Sequence, residues 1–366
     1  MKKLLIITNS ISVTEGRGRY SVEMIKKLSK YFKIIIFTSE RPRIYENDLD
    51  GIDLEIHDLP RVDKLTNFFV YIWLSFKLLF YATKVDLIHS FADSPYCLLL
   101  ILVSFFKKPK FITVHGTYGV LPLDKFKTRF LLRKAYEKSQ KVFCVSSFTE
   151  KQILKRINFK NTLVINNGIN YNKFQKLISV KDNKEKTIIS VGVLKPRKGY
   201  HVSIPAIAKV KEKYPNIKYY IIGGKPSEEY IDLVNECGLK DNVEFLYDLS
   251  DNELINFYYK SDLFLLTPIV INDNDFEGFG LVYLEAGACG LPVIGTSDCG
   301  AEDAIVDGKT GFLVPQNDIK KTTEAILKLL DNSELAQKMG ENGKKRAEKM
   351  DWENVIKKYI KIYNII

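Results

Sequence analysis

Short runs of apolar residues recur along the first half of the chain, and each run ends at a polar residue or a glycine. Runs of this kind predict buried strands, and the stretches between them have the periodicity of helices. The predicted strands cover residues 4–8, 33–38, 87–90, 111–115, 142–146 and 162–166, with a helix over about 19–30. Because strands and helices alternate, we predict a parallel sheet that is covered by helices.

The pattern restarts after a polar, charged stretch at residues 179–186, which we interpret as a linker. The second series comprises predicted strands at 187–191, 218–222, 243–245, 263–267 and 292–296, and a helix at 200–213. A last helix is predicted over 352–366, after the N-cap candidate Asp351.

These patterns predict an α/β protein of two doubly wound, Rossmann-like domains, residues 1–175 and 176–351. The last helix, 352–366, is predicted to pack back on the first domain. Ligands of open α/β sheets bind beyond the carboxyl ends of the strands. We therefore predict that the two sheets face each other across a cleft that holds the ligand.

The composition of the 366-residue chain is that of a globular protein, with 46% hydrophobic and 27% charged residues. Its five cysteines are odd in number and none are spaced as C-x-x-C. We therefore expect neither a disulfide framework nor a zinc site, and a reducing cytoplasm fits best. The apolar run at the N-terminus is shorter than the ~7–15 residues of a secretion signal, so we interpret it as the first strand.

The net charge of +11 is concentrated in the first half of the chain. Residues 1–170 contain 28 Lys and Arg against 15 Asp and Glu, whereas the remainder contains 27 against 29. This excess predicts an anionic partner, such as phospholipid, nucleic acid or a phosphorylated acceptor.

Residues 67–82 and 96–106 are rich in apolar and aromatic side chains. Both runs are shorter than the ~20 residues of a membrane span. They form either a buried core helix or an aromatic, basic-flanked surface that lies on a membrane, and the basic first half favours the second alternative.

Glu277 and Glu285 bracket a segment with two glycines, Gly278 and Gly280. The glycines let the backbone approach a ligand closely, and a helix that begins near Gly280 directs free amide groups at it, which suits a diphosphate. If the whole segment were helical, the two carboxylates would lie ~12 Å apart. That is too far to share one proton or one metal ion, but it suits two contacts on one long ligand. The alternative is two solvated carboxylates near a helix start.

A basic turn follows a predicted strand that ends near Gly192. Arg197 and Lys198 stand there beside Gly199, where two cations could neutralise a diphosphate that leaves with negative charge. An ordinary solvated turn is the alternative.

Two features of the first half are candidates for ligand contact. Gly16 and Gly18 follow the first predicted strand and could bring backbone to a phosphate, although a simple tight turn explains them equally well. His115 ends another predicted strand, where ligand-contacting side chains gather, although a lone histidine is usually structural.

Taken together, these motifs resemble glycosyltransferase family 4, whose members have the GT-B fold, and the resemblance covers essentially the whole chain. Glu277 and Glu285 match its E-x7-E motif, including the intervening Gly-Phe-Gly, and Lys198-Gly199 match its K-G turn. The other matching segments are Asn167-Gly168-Ile169, Leu291-Pro292-Val293-Ile294 and Gly308-x2-Gly311-Phe312-Leu313-Val314.

The family transfers a sugar from a nucleotide sugar, with retention of configuration and without an essential metal ion, so the resemblance implies no cofactor. It implies that Glu285 holds the donor ribose, that Glu277 contacts the donor sugar and that Lys198 stabilises the departing diphosphate. Further contacts with the donor phosphates, sugar or base are implied for Gly16, Gly18, His115, Gly192, Tyr247, Leu249, Gly278, Phe279, Gly280 and Leu281.

The chain departs from the family pattern at two points. Val193 stands where members often have an arginine after the glycine, and Arg197 is expected to supply that charge. The usual double glycine near residue 15 is reduced to Gly16, preceded by Glu15. Both departures concern contacts with the donor phosphates.

The resulting expectation is a retaining glycosyltransferase that moves a sugar from a nucleoside diphosphate sugar to a glycan or lipid-linked acceptor in cell-surface polysaccharide or glycoconjugate synthesis. We expect it in the cytoplasm, peripherally on the inner face of the membrane, with no nucleic-acid partner. One alternative is a GT-B sugar-nucleotide epimerase, which needs no acceptor. The other is a non-catalytic basic protein that binds a membrane or nucleic acid.

Overall fold

The chain folds into two compact units, each built on one parallel sheet. The structure is a computed structural model that describes residues 1–12, 16–40, 49–60, 68–175, 185–272 and 274–365, with the backbone alone for residues 68–73 and 365. The first unit comprises Met1–Gly168 with Trp352–Ile366, and the second comprises Ile169–Asp351.

The first unit has a seven-stranded sheet of order β3-β2-β1-β4-β5-β6-β7, in which all pairs are parallel. The strands are β1 (Lys3–Ser10), β2 (Lys33–Glu40), β3 (Leu54–Asp58), β4 (Leu87–Ser90), β5 (Lys110–Val114), β6 (Lys141–Cys144) and β7 (Thr162–Val164). The helices are α1 (Gly16–Leu28), α2 (Phe68–Lys84), α3 (Leu99–Leu102), α4 (Thr117–Val120), α5 (Phe126–Glu137), α6 (Ser147–Arg156) and α14 (Trp352–Ile365). The strand order reverses between β1 and β4, the point at which doubly wound sheets bind ligands.

The C-terminal helix α14 packs beside α1 on one face of this sheet. The Tyr20 hydroxyl forms hydrogen bonds with the hydroxyls of Thr113, at 3.0 Å, and Tyr359, at 3.1 Å. His89 continues the buried network, with Nε2 2.9 Å from Thr113 Oγ1 and Nδ1 2.5 Å from the Tyr363 hydroxyl. Because buried polar groups are costly unless paired, this network fixes α14 on the sheet of the first unit.

The second unit has a six-stranded sheet of order β10-β9-β8-β11-β12-β13, again parallel. Its strands are β8 (Thr187–Val191), β9 (Lys218–Gly223), β10 (Val243–Tyr247), β11 (Leu263–Leu265), β12 (Val293–Thr296) and β13 (Gly311–Val314). Its helices are α7 (Tyr200–Lys211), α8 (Glu228–Glu236), α9 (Asp251–Lys260), α10 (Leu281–Ala288), α11 (Ala301–Ala304), α12 (Ile319–Asp331) and α13 (Ser333–Lys349). The order reverses between β8 and β11.

The alternation of strands and helices predicted from the sequence is confirmed in both units, and β3 and β13 are additional strands. The boundary between the units differs from the prediction, because it lies at Gly168 and not at residue 175. The intervening residues bind the second unit: the Tyr171 N–H donates to the Asp351 carboxylate at 3.0 Å, and the Gln175 amide donates to the Ala288 carbonyl at 3.0 Å. Most of the predicted linker, residues 179–184, lies outside the described residues.

The first apolar run of the first unit contains both buried and exposed side chains. In α2, Leu74, Leu78 and Ala82 are fully buried, whereas Phe76 and Phe80 are exposed. The same helix therefore supplies core residues and an exposed aromatic surface. None of the described helices is both long enough and apolar enough to cross a membrane.

Candidate active site

The basic turn, residues 195–199, lies between β8 and α7 and packs against the segment that follows β11. Gly199 ends the turn with φ +73°, in the left-handed region, and caps α7. A Cβ atom on Gly199 would lie 1.7 Å from the Thr267 carbonyl oxygen. The Thr267 hydroxyl donates to the Gly199 carbonyl at 2.8 Å, and the Ile269 N–H donates to the Arg197 carbonyl at 2.8 Å. Only glycine therefore fits at position 199, and the turn is held in one place.

Arg197 and Lys198 converge on one carboxylate oxygen. Lys198 Nζ lies 2.5 Å from Glu277 Oε2, and Arg197 Nη1 lies 3.0 Å from the same atom. The Lys198 side chain is 9% exposed and that of Glu277 is 13% exposed, so the pair is largely shielded from water. A second carboxylate, Asp275, has Oδ1 3.6 Å from Arg197 Nε. Arg197, Lys198 and Glu277 are predicted from the sequence to contact one ligand, and the structure brings both cations into direct contact with Glu277.

The ionisation of Glu277 is controlled by its two basic neighbours. Burial raises the pKa of its carboxyl, but the charges of Lys198 and Arg197 and their hydrogen bonds outweigh burial and lower the pKa from 4.5 to about 2. Glu277 is therefore an anion at neutral pH. It cannot serve as a general acid there, but it can accept hydrogen bonds from hydroxyl groups.

Gly192 lies beside the Lys198 side chain, at ordinary van der Waals distance. A Cβ atom on Gly192 would lie 3.4 Å from Lys198 Cε and 3.6 Å from its Nζ. The Gly192 carbonyl accepts a hydrogen bond from the Tyr200 hydroxyl at 2.9 Å. Val193, which replaces the arginine often found in the family, is 48% exposed. The charge near this glycine is therefore supplied by the basic turn.

Helix α10 begins at Leu281, with Gly280 as its N-cap at φ +87°. The prediction of a helix start near Gly280 is confirmed, but residues 277–280 are not helical, so the ~12 Å separation assumed from a continuous helix does not apply. The backbone before α10 is tightly packed, because a Cβ atom on Gly300 would lie 2.3 Å from the Gly278 carbonyl. Glycine at position 300 is therefore needed to hold the loop that carries Glu277.

Glu285 lies inside α10 and is 7% exposed. Its Oε2 atom accepts a hydrogen bond from the Tyr258 hydroxyl, on α9, at 3.0 Å. Glu277 and Glu285 thus have different hydrogen-bond partners, the basic turn for Glu277 and Tyr258 for Glu285. Of the remaining predicted donor contacts, Phe279 is 2% exposed, Leu249 is half-buried, and Tyr247 ends β10 and is 45% exposed.

His115 follows β5 in the first unit. Its Nε2 atom lies 2.9 Å from the Phe91 carbonyl oxygen, which can only accept, so Nε2 carries a proton. Burial and the nearby charge of Arg17 lower the pKa of His115 to about 3. The ring packs edge-to-face on Tyr20, with 4.6 Å between centroids. His115 is therefore a neutral imidazole whose Nδ1 atom is the hydrogen-bond acceptor.

Asp93 is a second residue of this region that follows a strand, and no sequence motif singles it out. Its Oδ1 atom accepts the His115 backbone N–H at 3.1 Å, while Oδ2 is buried and has no hydrogen-bond partner within the described residues. Burial raises the pKa of Asp93 to about 7, although Arg17 and the His115 N–H act in the opposite direction. Its position could have indicated a role, because Asp93 follows β4 by three residues and His115 directly follows β5.

The glycines of the predicted phosphate loop differ in their surroundings. A Cβ atom on Gly18 would lie 1.9 Å from the Ser12 carbonyl oxygen, whereas one on Gly16 would have open space within 4 Å. Gly18 is therefore required by packing at the start of α1. Glu15 lies outside the described residues. Across the described part of the chain, no group of three or more His, Cys, Asp or Glu side chains is placed to hold a metal ion.

Comparison of the chain with known proteins identifies the family that its two halves match. Residues 172–346 match the family described as glycosyl transferases group 1, and residues 14–173 match glycosyltransferase family 4. An uncharacterized glycosyltransferase of Methanocaldococcus jannaschii is 29% identical over 346 residues, which cover 93% of this chain and 92% of the relative. The capsular polysaccharide biosynthesis glycosyltransferase CapM of Staphylococcus aureus is 26% identical over 363 residues, which cover 94% of this chain and 91% of the relative.

The fold is shared with a solved structure from Anabaena, that of HepE in complex with UDP and glucose. The two structures have a TM-score of 0.80 and 18% identity, with full coverage of both chains. The family matches and the two relatives favour the transferase interpretation over the epimerase and the non-catalytic binding protein. The protein therefore has the GT-B fold, belongs to glycosyltransferase family 4 and is a glycosyltransferase.

Proposed function

We propose that the protein is a retaining glycosyltransferase that transfers a sugar from a nucleoside diphosphate sugar to a glycan or lipid-linked acceptor. The observation that carries this proposal is the convergence of Lys198 and Arg197 on Glu277, at 2.5 Å and 3.0 Å. Two shielded cations held on one anion can also hold the diphosphate of a donor, since charge-assisted hydrogen bonds to phosphate are strong.

In this proposal the basic turn stabilises the negative charge that develops as the diphosphate leaves. Lys198 and Arg197 are fixed before the reaction begins, so little reorganisation is needed in the transition state. The same two charges remove the need for a metal ion, and we propose that transfer is metal-independent. The amide groups at the start of α10, from Leu281 onward, add donors at the positive end of the helix.

The carboxylates are proposed to bind the two ends of the donor. Glu277, ionised at neutral pH, accepts hydrogen bonds from the sugar hydroxyls and favours the positive charge of an oxocarbenium-like transition state. Glu285 accepts hydrogen bonds from the ribose hydroxyls. A carboxylate can accept several hydrogen bonds, so the bond from Tyr258 is compatible with this role.

His115 is proposed to contact the transferred sugar near the reacting carbon. Its ring is neutral and its orientation is fixed by the Phe91 carbonyl and by Tyr20. The Nδ1 atom can therefore accept a hydrogen bond from a sugar hydroxyl without introducing a positive charge beside the developing oxocarbenium ion. The acceptor is proposed to bind the first unit.

We propose that the biological role is the synthesis of cell-surface polysaccharide or glycoconjugate, carried out in the cytoplasm against the inner face of the membrane. The similarity to the capsular polysaccharide glycosyltransferase CapM supports a role in glycan synthesis. The basic first half of the chain supports contact with anionic lipid. This half is the part of the chain to which we assign the acceptor.

A thermal-shift screen against UDP, GDP and ADP sugars tests the donor class. A ligand that binds only the folded protein stabilises it, by about 2.7 kcal/mol at a hundredfold excess over Kd. We expect nucleotide sugars of one base to raise the Tm of the wild type. The control variant Lys195→Ala, which changes an exposed lysine of the same turn, is expected to show the same rise in Tm. In Lys198→Ala the rise is expected to be much smaller. UDP sugars are the first class to test. No shift with any nucleotide sugar would contradict the proposed function.

A further inference from the structure

Helix α5 exposes three large apolar side chains to solvent. Phe126 is 88% exposed, Phe130 is 63% exposed and Leu131 is 43% exposed. Phe126 and Phe130 are four positions apart, so they lie on one side of the helix. The residues that pack α5 on its own unit are Leu132, Ala135 and Tyr136. The exposed rings are therefore not part of the core, and an apolar cluster of this kind marks an interaction surface.

The same segment is strongly basic. Residues 124–138 include two acidic side chains, Asp124 and Glu137, and six basic ones, Lys125, Lys127, Arg129, Arg133, Lys134 and Lys138. Asp124 accepts a hydrogen bond from Arg156 at 2.7 Å, and Glu137 accepts one from Arg133 at 2.7 Å. Both carboxylates are thus compensated by arginines, and the lysines give the segment a net positive charge.

The elements beside α5 carry further exposed aromatic residues. Helix α3 packs against both α5 and α2. Phe105, in the turn after α3, is 67% exposed, and Phe76 and Phe80 of α2 are 70% and 54% exposed. The Lys84 ammonium lies 3.8 Å from the centre of the Phe80 ring. Exposed rings beside basic side chains therefore extend over three neighbouring elements of the first unit.

We propose that the α5 surface, formed by Phe126, Phe130 and Leu131 with Lys127 and Lys134, docks the protein on a membrane that contains anionic lipid. The rings enter the boundary between headgroups and acyl chains, and the lysines lie against the negative headgroups. The basic charge around the rings matches such a surface. This assignment rests on the membrane part of the proposed function and does not depend on the donor chemistry.

Sedimentation with vesicles tests the assignment, using phosphatidylcholine with or without phosphatidylglycerol. We expect the wild type to bind only the anionic vesicles, more weakly as salt is raised. The variant Phe126→Ser with Phe130→Ser is expected to bind about tenfold more weakly, because it removes apolar surface from the interface. Replacing Lys127 and Lys134 with Gln is expected to weaken binding roughly fivefold for each lysine. The matched control is Tyr31→Ser, another exposed aromatic of the first unit, 46% exposed, which is expected to bind like the wild type.

Three outcomes overturn the assignment in different ways. If the double Phe variant binds as well as the wild type, α5 is not the docking element, although the membrane proposal stands. If the wild type fails to bind anionic vesicles even at low salt, the α5 assignment and the proposed membrane contact are both wrong. The proposed sugar transfer is tested separately, by the donor-induced rise in Tm. If light scattering shows a dimer that the Phe changes abolish, the surface binds a second copy of the chain.

Discussion

Replacing Lys198 with alanine is expected to lower kcat/KM for sugar transfer by about 100- to 1000-fold, the usual cost of removing one preorganised group that stabilises transition-state charge. Lys198 is 9% exposed and lies 2.5 Å from Glu277, so its ammonium group is held in a fixed, largely shielded position. The loss is expected in kcat as well as in donor binding, because the diphosphate gains charge as the bond to the sugar breaks. Steady-state kinetics with the donor identified by thermal shift measures the effect.

Two further variants separate catalysis from folding. Lys198→Ala leaves Glu277 with Arg197 as its partner, and loss of one member of a shielded ion pair can itself destabilise the protein. Lys198→Met combined with Glu277→Gln removes both charges, so it is expected to stay folded and inactive. Lys195→Ala changes an exposed lysine of the same turn and is expected to retain activity. Wild-type rates in Lys198→Ala would rule out this role for the basic turn.

Changing Gly199 to alanine is expected to destabilise the second unit by about 3 kcal/mol or more, or to prevent it from folding. Two costs add at this position. The backbone has φ +73°, which L residues rarely adopt, and the new Cβ would lie 1.7 Å from the Thr267 carbonyl oxygen. To remove this clash, the turn must move away from the segment after β11. That movement also displaces Lys198. Chemical denaturation followed by circular dichroism measures the loss.

Gly238 provides the control for the conformational part of this cost. It has φ +65°, but a Cβ atom there would have open space within 4 Å. Gly238→Ala is therefore expected to cost only about 1 kcal/mol, from backbone strain alone. If Gly199→Ala and Gly238→Ala had equal effects, the contact with Thr267 would not be what holds the turn.

The parallel sheets could be predicted because their central strands are buried on both faces. Strands β1 and β2 contain continuous apolar runs, at residues 4–7 and 34–37, which stand out between amphipathic helices. Strand β3 is an edge strand with no fully buried position, and its alternating sequence Leu-Glu-Ile-His-Asp contains no such run. The boundary at Gly168 could not be predicted, because it depends on contacts of Tyr171 and Gln175 with residues far along the chain.

The individual site residues were accessible to sequence analysis, but their mutual contacts were not. Lys198 and Glu277 are separated by 79 positions, and only the fold brings the ammonium group onto the carboxylate. Asp93 was missed because it is a single carboxylate in an apolar run with no neighbouring motif. The phenylalanines of α5 were missed for another reason. Their spacing is typical of a helix but does not show which face of that helix is exposed.

The affinity of the protein for a nucleoside diphosphate relative to the corresponding monophosphate tests the central claim most directly. If the basic turn holds the second phosphate, calorimetry will show that the wild type and Lys195→Met prefer the diphosphate by about tenfold or more, as expected for a charge-assisted hydrogen bond. In Lys198→Met most of this preference will be lost. An unchanged preference in Lys198→Met would contradict the account, because the diphosphate would then be held elsewhere.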